Sequence, residues 1–196
     1  MKKITVVEKF IKHAGYADLC DLWNEIKDPK LAEFFENLRA LYSEGKYDEY
    51  KQKKESLNAF IITGMYSSAR SASSLIEYSG MVVLDIDKLG CNLPNVRKAI
   101  VEDRHTLACF LSPSGDGLKV IVRVDSSVED HKDMFHAVSD YFKTVANTEV
   151  DSTGSNICRL CFISYDPDLY VNEGCEQFRL CAMVKRVRQM ELFLYN

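Results

Sequence analysis

The sheet of this 196-residue chain is best predicted from one segment, Met81-Val82-Val83-Leu84-Asp85-Ile86-Asp87. Four apolar residues followed by alternating acidic and apolar ones are typical of a buried strand that ends in two carboxylates. Side chains alternate along a strand, so Asp85 and Asp87 point the same way, with Cα atoms about 6–7 Å apart. Two like charges held that close resist burial, which favours a cation between them. Mg²⁺ or Mn²⁺ is the natural candidate because hard cations bind carboxylate oxygens, and a solvated strand end is the alternative.

The composition is that of an ordinary globular protein, with 46% hydrophobic residues, 28% charged residues and a formal net charge of −4. This mild acidity argues against a broad basic surface that coats nucleic acid, but it allows a local basic groove. No stretch approaches the ~18 apolar residues of a membrane span, and no signal-peptide core follows the first residues. The seven cysteines lack the spacing of small secreted proteins. The sequence therefore predicts a cytoplasmic protein with reduced thiols and no membrane partner.

Residues 1–57 are predicted to form a helical N-terminal arm. Apolar residues recur there at helical spacing, as Leu31, Phe34, Phe35, Leu38, Leu41 and Tyr42. The charged stretch Asp48–Glu55 is interpreted as a solvated helix face, and Trp23 and the other aromatic residues of the arm are expected in the core. Residues 58–196 form the second region, which begins with a short strand at Ala59–Thr63 and a short helix at Ser71–Ser79.

The second region continues as strand, helix, strand, strand, helix, strand. The predicted bounds are Met81–Asp87, Pro94–Asp103, Leu107–Ser112, Leu118–Val124, Glu129–Asn147 and Ile157–Ser164. This order is the β-α-β-β-α-β motif, so the predicted fold class is α+β, with a ferredoxin/RRM-like antiparallel sheet and a helical N-terminal arm.

This topology makes the first and third of these strands neighbours and places both helices on one face of the sheet. The apolar residues predicted to face the helices are Val82, Leu84, Ile86, Leu118, Val120, Val122, Val124, Leu160 and Phe162. The two acids then point to the opposite, open face together with Lys119 and Arg159. An ordinary solvated face would rarely concentrate charges so centrally.

A second motif, Ser112-Pro113-Ser114-Gly115-Asp116-Gly117-Leu118-Lys119, joins two of these strands. Its serines and glycines could offer backbone N–H groups to phosphate oxygens, which makes Ser112, Ser114, Gly115 and Gly117 candidate nucleotide-binding residues. Lys119 would supply a positive charge for a triphosphate. The alternative is a hairpin turn that needs glycine for its backbone conformation.

A third motif begins at Val150-Asp151 and continues to Arg159 and Ser164-Tyr165-Asp166-Pro167. Asp151 could bring a third carboxylate beside the first two, and a turn aspartate is the alternative. Asp166 and Asp168 are interpreted as turn residues around Pro167. Zinc binding by Cys158 and Cys161, with Cys175 and Cys181, is disfavoured because residues three apart on a strand face opposite sides. The histidines lie outside the charged cluster.

Together these motifs resemble the archaeo-eukaryotic primase (primase-polymerase) superfamily, and most closely its bacterial VirE N-terminal domain branch. That superfamily carries an apolar strand ending in two acids, a Ser/Gly turn into a strand bearing a His, and a later apolar-acid pair. The matching segments are Val83–Asp87, Ser112–Lys119, and Val150-Asp151 with Arg159. In the VirE-type branch the strings Ser-Pro-Ser-Gly-x-Gly-Leu-Lys and Ser-Tyr-Asp-Pro-Asp recur in this form. The resemblance covers about residues 55–172.

The resemblance implies a primase-polymerase palm with a two-metal site, in which Asp85, Asp87 and Asp151 hold Mg²⁺ or Mn²⁺ and form the catalytic centre. Lys119 would contact the incoming nucleoside triphosphate, and Arg159 would support it or the acids. The further partners implied are a single-stranded template or primer-template and a helicase, on another chain or a fused domain, in the replication of a mobile element. One departure from the pattern is that Lys119 stands where the wider superfamily has His. Arg70 and Arg123 are weaker basic candidates.

Three other classes of protein remain open at this point. Haloacid-dehalogenase phosphatases also place Asp-x-Asp after an apolar strand, but they follow their Ser or Thr strand with a helix, whereas a hairpin is predicted after Ser112. An RRM-type RNA-binding module shares the strand order but needs aromatic residues where this chain has Asp85 and Asp87. A catalytically inactive member that binds nucleotide or single-stranded DNA within a larger complex has the same sequence features as an active enzyme.

Overall fold

The computed structural model describes residues 2–9, 12–68 and 71–180 of the chain. The strands are β1 (Lys3–Glu8), β2 (Lys12–Asp18), β3 (Ala59–Ile61), β4 (Gly64–Tyr66), β5 (Leu75–Tyr78), β6 (Met81–Ile86), β7 (Thr106–Leu111), β8 (Leu118–Arg123), β9 (Cys161–Phe162) and β10 (Tyr170–Val171). The helices are α1 (Leu19–Ile26), α2 (Ala32–Ser43), α3 (Tyr47–Glu55), α4 (Leu93–Val101) and α5 (His131–Ala146).

In the described residues, the β-structure consists of two four-stranded sheets and one separate hairpin. The strand orders are β10-β7-β8-β6 in the first sheet and β2-β1-β3-β9 in the second, and β4 pairs with β5. All of these pairings are antiparallel. The predicted α+β class with an antiparallel sheet is confirmed. Within the described ranges, no helix is both long and apolar enough to cross a membrane.

One face of the first sheet packs against α4 and α5, as predicted. β6 and β8 are antiparallel neighbours with Leu84 opposite Val120. The alternate apolar residues of both strands are buried against apolar residues of the two helices. That cluster contains Val82, Leu84, Ile86, Leu118, Val120, Val122 and Val124 from the strands, and Val96, Ile100, Met134, Phe135, Val138 and Phe142 from the helices. The period-two pattern of the strands therefore fixes which way Asp85 and Lys119 point.

The opposite face of this sheet is covered, so the prediction of an open face is wrong. Phe110 of β7 and Ile121 of β8 are fully buried there against apolar residues of the N-terminal elements. The covering residues are Ile4 of β1, Leu22, Trp23 and Ile26 of α1, and Phe35 and Leu38 of α2. The physical reason is that this face carries apolar side chains beside its charged ones, and their burial is favourable. The charged residues consequently lie at the edge of a packed interface between the two sheets.

The N-terminal arm is only partly helical, contrary to the prediction for residues 1–57. α1, α2 and α3 are helices, but β1 and β2 form a hairpin before them. The β-branched run Ile4-Thr5-Val6-Val7 in β1 explains this outcome, because such residues favour strands. β1 also pairs with β3, with Val6 opposite Phe60, so hydrogen bonds cross the predicted boundary between residues 57 and 58.

The predicted fourth strand, Ile157–Ser164, is much shorter than expected and lies in the other sheet. Only Cys161–Phe162 forms β9, which pairs with β3 through Ala59 opposite Phe162. Leu160 accordingly packs in a cluster with Val7 and Tyr66 and not against α4 and α5. The strand order of a ferredoxin-like sheet is therefore not confirmed.

The segment Ser71–Ser79 was expected to be helical and is mainly a strand. A single 3₁₀ turn at Ala72–Ser74 precedes β5, which pairs with β4 through Met65 opposite Glu77. Ala72, Leu75 and Ile76 do recur at helical spacing, but pairing with β4 decides the conformation of Leu75–Tyr78.

Asp166 holds the turn around Pro167, as the sequence indicated. Its side chain is 1% exposed and accepts hydrogen bonds from the N–H groups of Leu111, at 2.8 Å, and Asp168, at 3.0 Å. Arg97 of α4 forms an ion pair with the same carboxylate at 3.0 Å. The turn is thus tied both to the end of β7 and to α4.

His131, at the first turn of α5, is buried as a neutral imidazole. It is 3% exposed, and its Nδ1 atom lies 2.8 Å from the Tyr78 hydroxyl on β5. Burial lowers the pKa of His131 to about 4 from an ordinary value of 6.5. The unfolded chain therefore takes up a proton near pH 6.5, whereas the folded protein resists that proton until about pH 4.

We expect the free energy of unfolding to fall as the pH drops from 6.5 towards 4, with a contribution from His131 of about 2 kcal/mol at pH 5. Urea unfolding at pH 7.5 and pH 5 would measure it. His131→Gln should reduce the difference between the two pH values, while the control His136→Gln on the same helix should leave it unchanged. An equal difference in the wild-type protein and His131→Gln would contradict the assignment.

Candidate active site

Two acids and two cations of the sequence motifs meet at the edge between the sheets. Asp85 of β6 and Lys119 of β8 are cross-strand partners, and the Lys119 ammonium donates to Asp85 Oδ1. Arg159 Nη2 lies 3.4 Å from Asp85 Oδ2 and 2.9 Å from Asp151 Oδ2. We call Asp85, Lys119, Asp151 and Arg159 the ion cluster. Of the residues predicted to converge, Asp85, Lys119 and Arg159 meet here together with Asp151, whereas Asp87 forms no ion pair with them in the described residues; the catalytic and metal-binding roles of these residues stay predictions.

Asp151 reaches the cluster because its backbone runs along the free edge of β6. Its N–H donates to the carbonyl oxygen of Asp85 at 2.9 Å. Its carboxylate caps the following turn by accepting hydrogen bonds from the Thr153 N–H at 2.9 Å and the Thr153 hydroxyl at 2.8 Å. Arg159 Nη1 also donates to Thr153 Oγ1 at 3.1 Å. The turn therefore positions both the carboxylate and the guanidinium.

The charges of the ion cluster stabilise one another in their ionised forms. Burial alone would raise the pKa of Asp85, but Lys119 and then Arg159 lower it below its ordinary value. Burial likewise acts to lower the pKa of Lys119, yet the Asp85 carboxylate raises it above the usual range for lysine. Partial burial raises the pKa of Asp151, whereas hydrogen bonds from Thr153 and the charge of Arg159 lower it overall. The cluster is thus two carboxylates balanced by two cations.

Asp87 follows β6 and takes no part in these ion pairs. Its side chain is exposed and, in the described part of the chain, accepts no hydrogen bond and forms no ion pair. Partial desolvation and the negative charge of Asp85 raise the pKa of its carboxyl group. Gly117 packs against it so closely that a Cβ there would lie 2.6 Å from the Ile86 carbonyl oxygen and 2.9 Å from Asp87 Oδ1. Glycine is required at this position.

The Ser/Gly motif forms a hairpin turn between β7 and β8 that is closed by its own hydrogen bonds. The N–H of Ser112 donates to the Gly117 carbonyl at 2.9 Å, and the N–H of Gly115 donates to the Ser112 carbonyl at 2.9 Å. The Asp116 N–H lies 3.3 Å from Ser114 Oγ. These N–H groups already have acceptors, which favours the hairpin interpretation for them. A role of Ser112, Ser114, Gly115 and Gly117 in binding nucleotide stays a prediction.

A polar cleft of about 380 Å³ opens beside the ion cluster. Its walls combine three cationic side chains with hydrogen-bonding and apolar groups. The lining residues are Lys54, Asp85, Lys119, Thr153, Asn156, Cys158, Arg159, Leu160 and Phe162. A cavity of about 460 Å³ elsewhere is lined in part by Arg123, which donates to the Glu173 carbonyl at 2.7 Å and so lies outside the ion cluster. Arg70, the other weak candidate, lies outside the described residues.

Lys54 is a cleft residue that the sequence did not reveal. It belongs to α3, which was interpreted as a solvated face. Its ammonium group instead lies 5.2 Å from the ring centre of Phe162 and 5.8 Å from that of Tyr50, in the range of cation–π contacts. Burial, and then the positive charge of Lys119, lower the pKa of Lys54. The only signal in the sequence is the spacing of Tyr50 and Lys54, one helical turn apart.

Carboxylates are the usual ligands of divalent metal ions, but those of Asp85 and Asp151 already form ion pairs with Lys119 and Arg159. Among the described residues, no three His, Cys, Asp or Glu side chains are arranged to hold a metal ion. Lys119 and Arg159 already contact both oxygens of Asp85, and Arg159 contacts one of Asp151. Carboxylate oxygens suit Mg²⁺ or Mn²⁺, and desolvation, followed by the negative charge of Asp85, raises the pKa of Asp87. The oxygens are therefore of the chemical type that binds such an ion, but those of Asp85 and one of Asp151 are occupied by cationic side chains.

The cysteines considered for zinc lie in different surroundings. Cys158 is buried in a cluster with Val7 and Leu160, whereas Cys161 is buried with Phe60 and Ile121. Their thiols therefore face different apolar regions, although only Cys161 lies on a strand, so the alternation expected along Ile157–Ser164 is not the reason. Cys181 lies outside the described residues.

Removal of one partner from the Lys119–Asp85 pair should destabilise the protein strongly. Lys119 is 5% exposed and the Asp85 side chain 16% exposed, so Lys119→Met leaves a buried carboxylate without its nearest cation. We expect a loss of about 3 kcal/mol in the free energy of unfolding, measured by urea denaturation.

The matched control is Lys143→Met, which breaks an exposed ion pair to Glu149. That change should alter the free energy of unfolding by about 0.5 kcal/mol or less. Equal losses in Lys119→Met and Lys143→Met would show that the Lys119–Asp85 pair is not a buried constraint.

The comparisons with known proteins give one result. A family model described as "BT4734-like, N-terminal domain" matches residues 52–171, a span that includes the whole ion cluster and Lys54. No curated protein and no solved structure shows significant similarity to the chain. Because the match extends over more than half of the sequence, the chain belongs to the BT4734-like, N-terminal domain family.

Proposed function

We propose that the cleft binds a nucleoside triphosphate and carries out metal-dependent nucleotidyl transfer of the primase-polymerase type on a nucleic-acid strand. Replication of a mobile element, with a helicase partner, is the setting that the sequence resemblance suggests. The observation that supports the proposal most is the meeting of Asp151 with Asp85. These acids lie far apart in the chain, yet they share a backbone hydrogen bond of 2.9 Å and the guanidinium of Arg159.

The cations of the cleft suit the phosphates of such a substrate. Lys54, Lys119 and Arg159 line one polar cavity, and a triphosphate carries several negative charges. Arg159 is the most adaptable of the three, because a planar guanidinium can exchange carboxylate for phosphate oxygens with the same geometry. Its side chain is 35% exposed, so solvent and ligand can reach it. Lys119 is buried and would act mainly by holding Asp85 in place.

The acids have separate roles in this proposal. Asp85, Asp87 and Asp151 would hold Mg²⁺ or Mn²⁺, which when bound activates a hydroxyl nucleophile and stabilises the departing pyrophosphate. Asp87 offers carboxylate oxygens without a partner in the described part of the chain. Asp151 offers its oxygens when Arg159 turns to phosphate. The Asp151 N–H bond to β6 keeps its backbone in position during that exchange.

The structure argues against two of the other classes. An RRM-type module stacks bases on an open sheet face, whereas this face is covered by Ile4, Leu22 and Phe35. A haloacid-dehalogenase-type phosphatase would have a helix after the Ser112 strand, whereas the turn leads directly into β8. A catalytically inactive binding module stays a second candidate, because the ion cluster is electrically balanced without a metal.

Manganese should strengthen the binding of a fluorescent ATP analogue, measured by anisotropy. In Asp87→Asn, the increase in affinity caused by Mn²⁺ should be at least tenfold smaller than in the wild-type protein. The reason is that Asp87 supplies the unpaired carboxylate, while its removal breaks no hydrogen bond of the described fold. Asp140→Asn on an exposed position of α5 is the control and should behave as wild type. Identical affinity of the wild-type protein with and without Mn²⁺ would contradict metal-dependent binding.

Lys54→Met should weaken the binding of the same analogue about tenfold, the effect of losing ~1.4 kcal/mol of interaction with phosphate. Lys51→Met on the exposed side of α3 is the matched control, because it removes the same charge outside the cleft. Equal affinities of the two variants would exclude Lys54 from the binding site.

A primer-extension assay separates the two candidate functions. Extension that requires Mn²⁺ and is lost in Asp87→Asn would support the enzyme, whereas nucleotide binding without extension on any template would favour the inactive module. Release of phosphate from a simple phosphomonoester would instead support the phosphatase class.

A further inference from the structure

A row of aromatic side chains leads away from the cleft along α3 and α2. The Lys54 ammonium lies between the rings of Phe162 and Tyr50. The Tyr50 ring centre is 5.2 Å from that of Tyr42, which is 5.5 Å from that of Tyr47. We call Tyr50, Tyr42 and Tyr47 the tyrosine row. It connects the cationic cleft to solvent without interruption.

The exposure of these rings increases away from the cleft. Tyr50 and Tyr42 are half-buried, whereas Tyr47 is 60% exposed, the largest value among the large hydrophobic side chains of the described residues. The rings meet edge to face, with interplanar angles of 62° and 71°, so they do not stack on one another. The aromatic residues of the arm were expected in the core. Trp23 is buried there, but Tyr47 leaves most of its ring available to a ligand.

The row also borders the acids beside the cleft. Burial, and then the negative charge of Asp116, raise the pKa of Tyr42, with a further contribution from Asp87. Tyr50 lies close enough to Lys119 and Asp87 for both charges to influence its hydroxyl. Asp87 therefore lies near Tyr42 and Tyr50, and the ring distances place Tyr47 beyond Tyr42.

We propose that the tyrosine row stacks the bases of a single nucleic-acid strand whose phosphate backbone passes Lys54 at the cleft. Exposed aromatic rings beside a cationic groove are the features by which proteins bind single strands without sequence preference. This inference rests on the proposed function, because it takes the strand to be the template or primer of the same reaction. It adds a binding surface on α2 and α3 that lies outside the ion cluster.

A strand fits the row better than a protein or a lone nucleotide. Tyr47 is separated from the cleft by two further rings, so a nucleotide held in the cleft would meet only the first of them. Four exposed charged residues lie close to Tyr47 in the sequence, namely Lys46, Asp48, Glu49 and Lys51. An apolar patch of the size found in protein interfaces is therefore not formed by this part of the helix.

The test is the affinity of the whole chain for a fluorescein-labelled oligothymidine, measured by anisotropy at several salt concentrations. Tyr47→Ala should weaken binding about tenfold, and Tyr47→Trp should restore it, because stacking needs a ring and not a hydroxyl. The slope of log affinity against log salt should stay unchanged in Tyr47→Ala and become shallower in Lys54→Met. Tyr16→Ala is the matched control, since Tyr16 is 39% exposed on β2.

Binding of the ATP analogue is measured in parallel so that the two proposals can fail separately. Nucleotide binding without oligothymidine binding, or equal oligothymidine affinities for Tyr47→Ala and Tyr16→Ala, would overturn the tyrosine row and leave the proposed function standing. Oligothymidine binding that depends on Tyr47, in a chain that neither binds nucleotide nor extends a primer, would support the row and overturn nucleotidyl transfer.

Discussion

The candidate site depends on the buried ion pair between Lys119 and Asp85, which joins β8 to β6 across the sheet. A charge on the covered face of a sheet is costly, and each of these residues makes the other tolerable. The second carboxylate oxygen of Asp85 faces the edge of the sheet, where Arg159 forms an ion pair with it. Arg159 in turn draws in Asp151. One cross-strand contact thus organises groups from three separate segments.

The first sheet was predictable because its strands carry strong local signals. Alternating apolar residues in β6 and β8 identified both the pairing and the face that packs on α4 and α5. No comparable pattern of residues indicates what covers the second face. That cover depends on segments far apart in the chain, which bring residues such as Ile4 and Ile121 into one apolar cluster. Pairing of β9 with β3 also depends on contacts between segments far apart in the chain, because the sequence of a two-residue strand has little conformational preference.

A residue of the site could be predicted where a single charged residue interrupts an apolar segment. It could not be predicted where most of the neighbouring residues are also charged. Asp85 stands out in an otherwise apolar strand, so its importance could be recognised from its neighbours. Lys54 lies in a helix in which most residues are charged, and no period distinguishes it from the exposed Lys53. The match to the BT4734-like, N-terminal domain family covers both residues, but it assigns no role to either of them. Only the fold shows that Lys54 points towards Phe162.

The pairing of β9 with β3 has a consequence for the size of the smallest independent folding unit. The family match begins at residue 52, yet β3 is bordered on its other side by β1, which lies near the start of the chain. A recombinant fragment starting at residue 52 would expose the backbone edge of β3 and uncover Phe110 and Ile121. Such a fragment would be prone to aggregate, so a fragment for expression should begin before β1 and not where the family match begins.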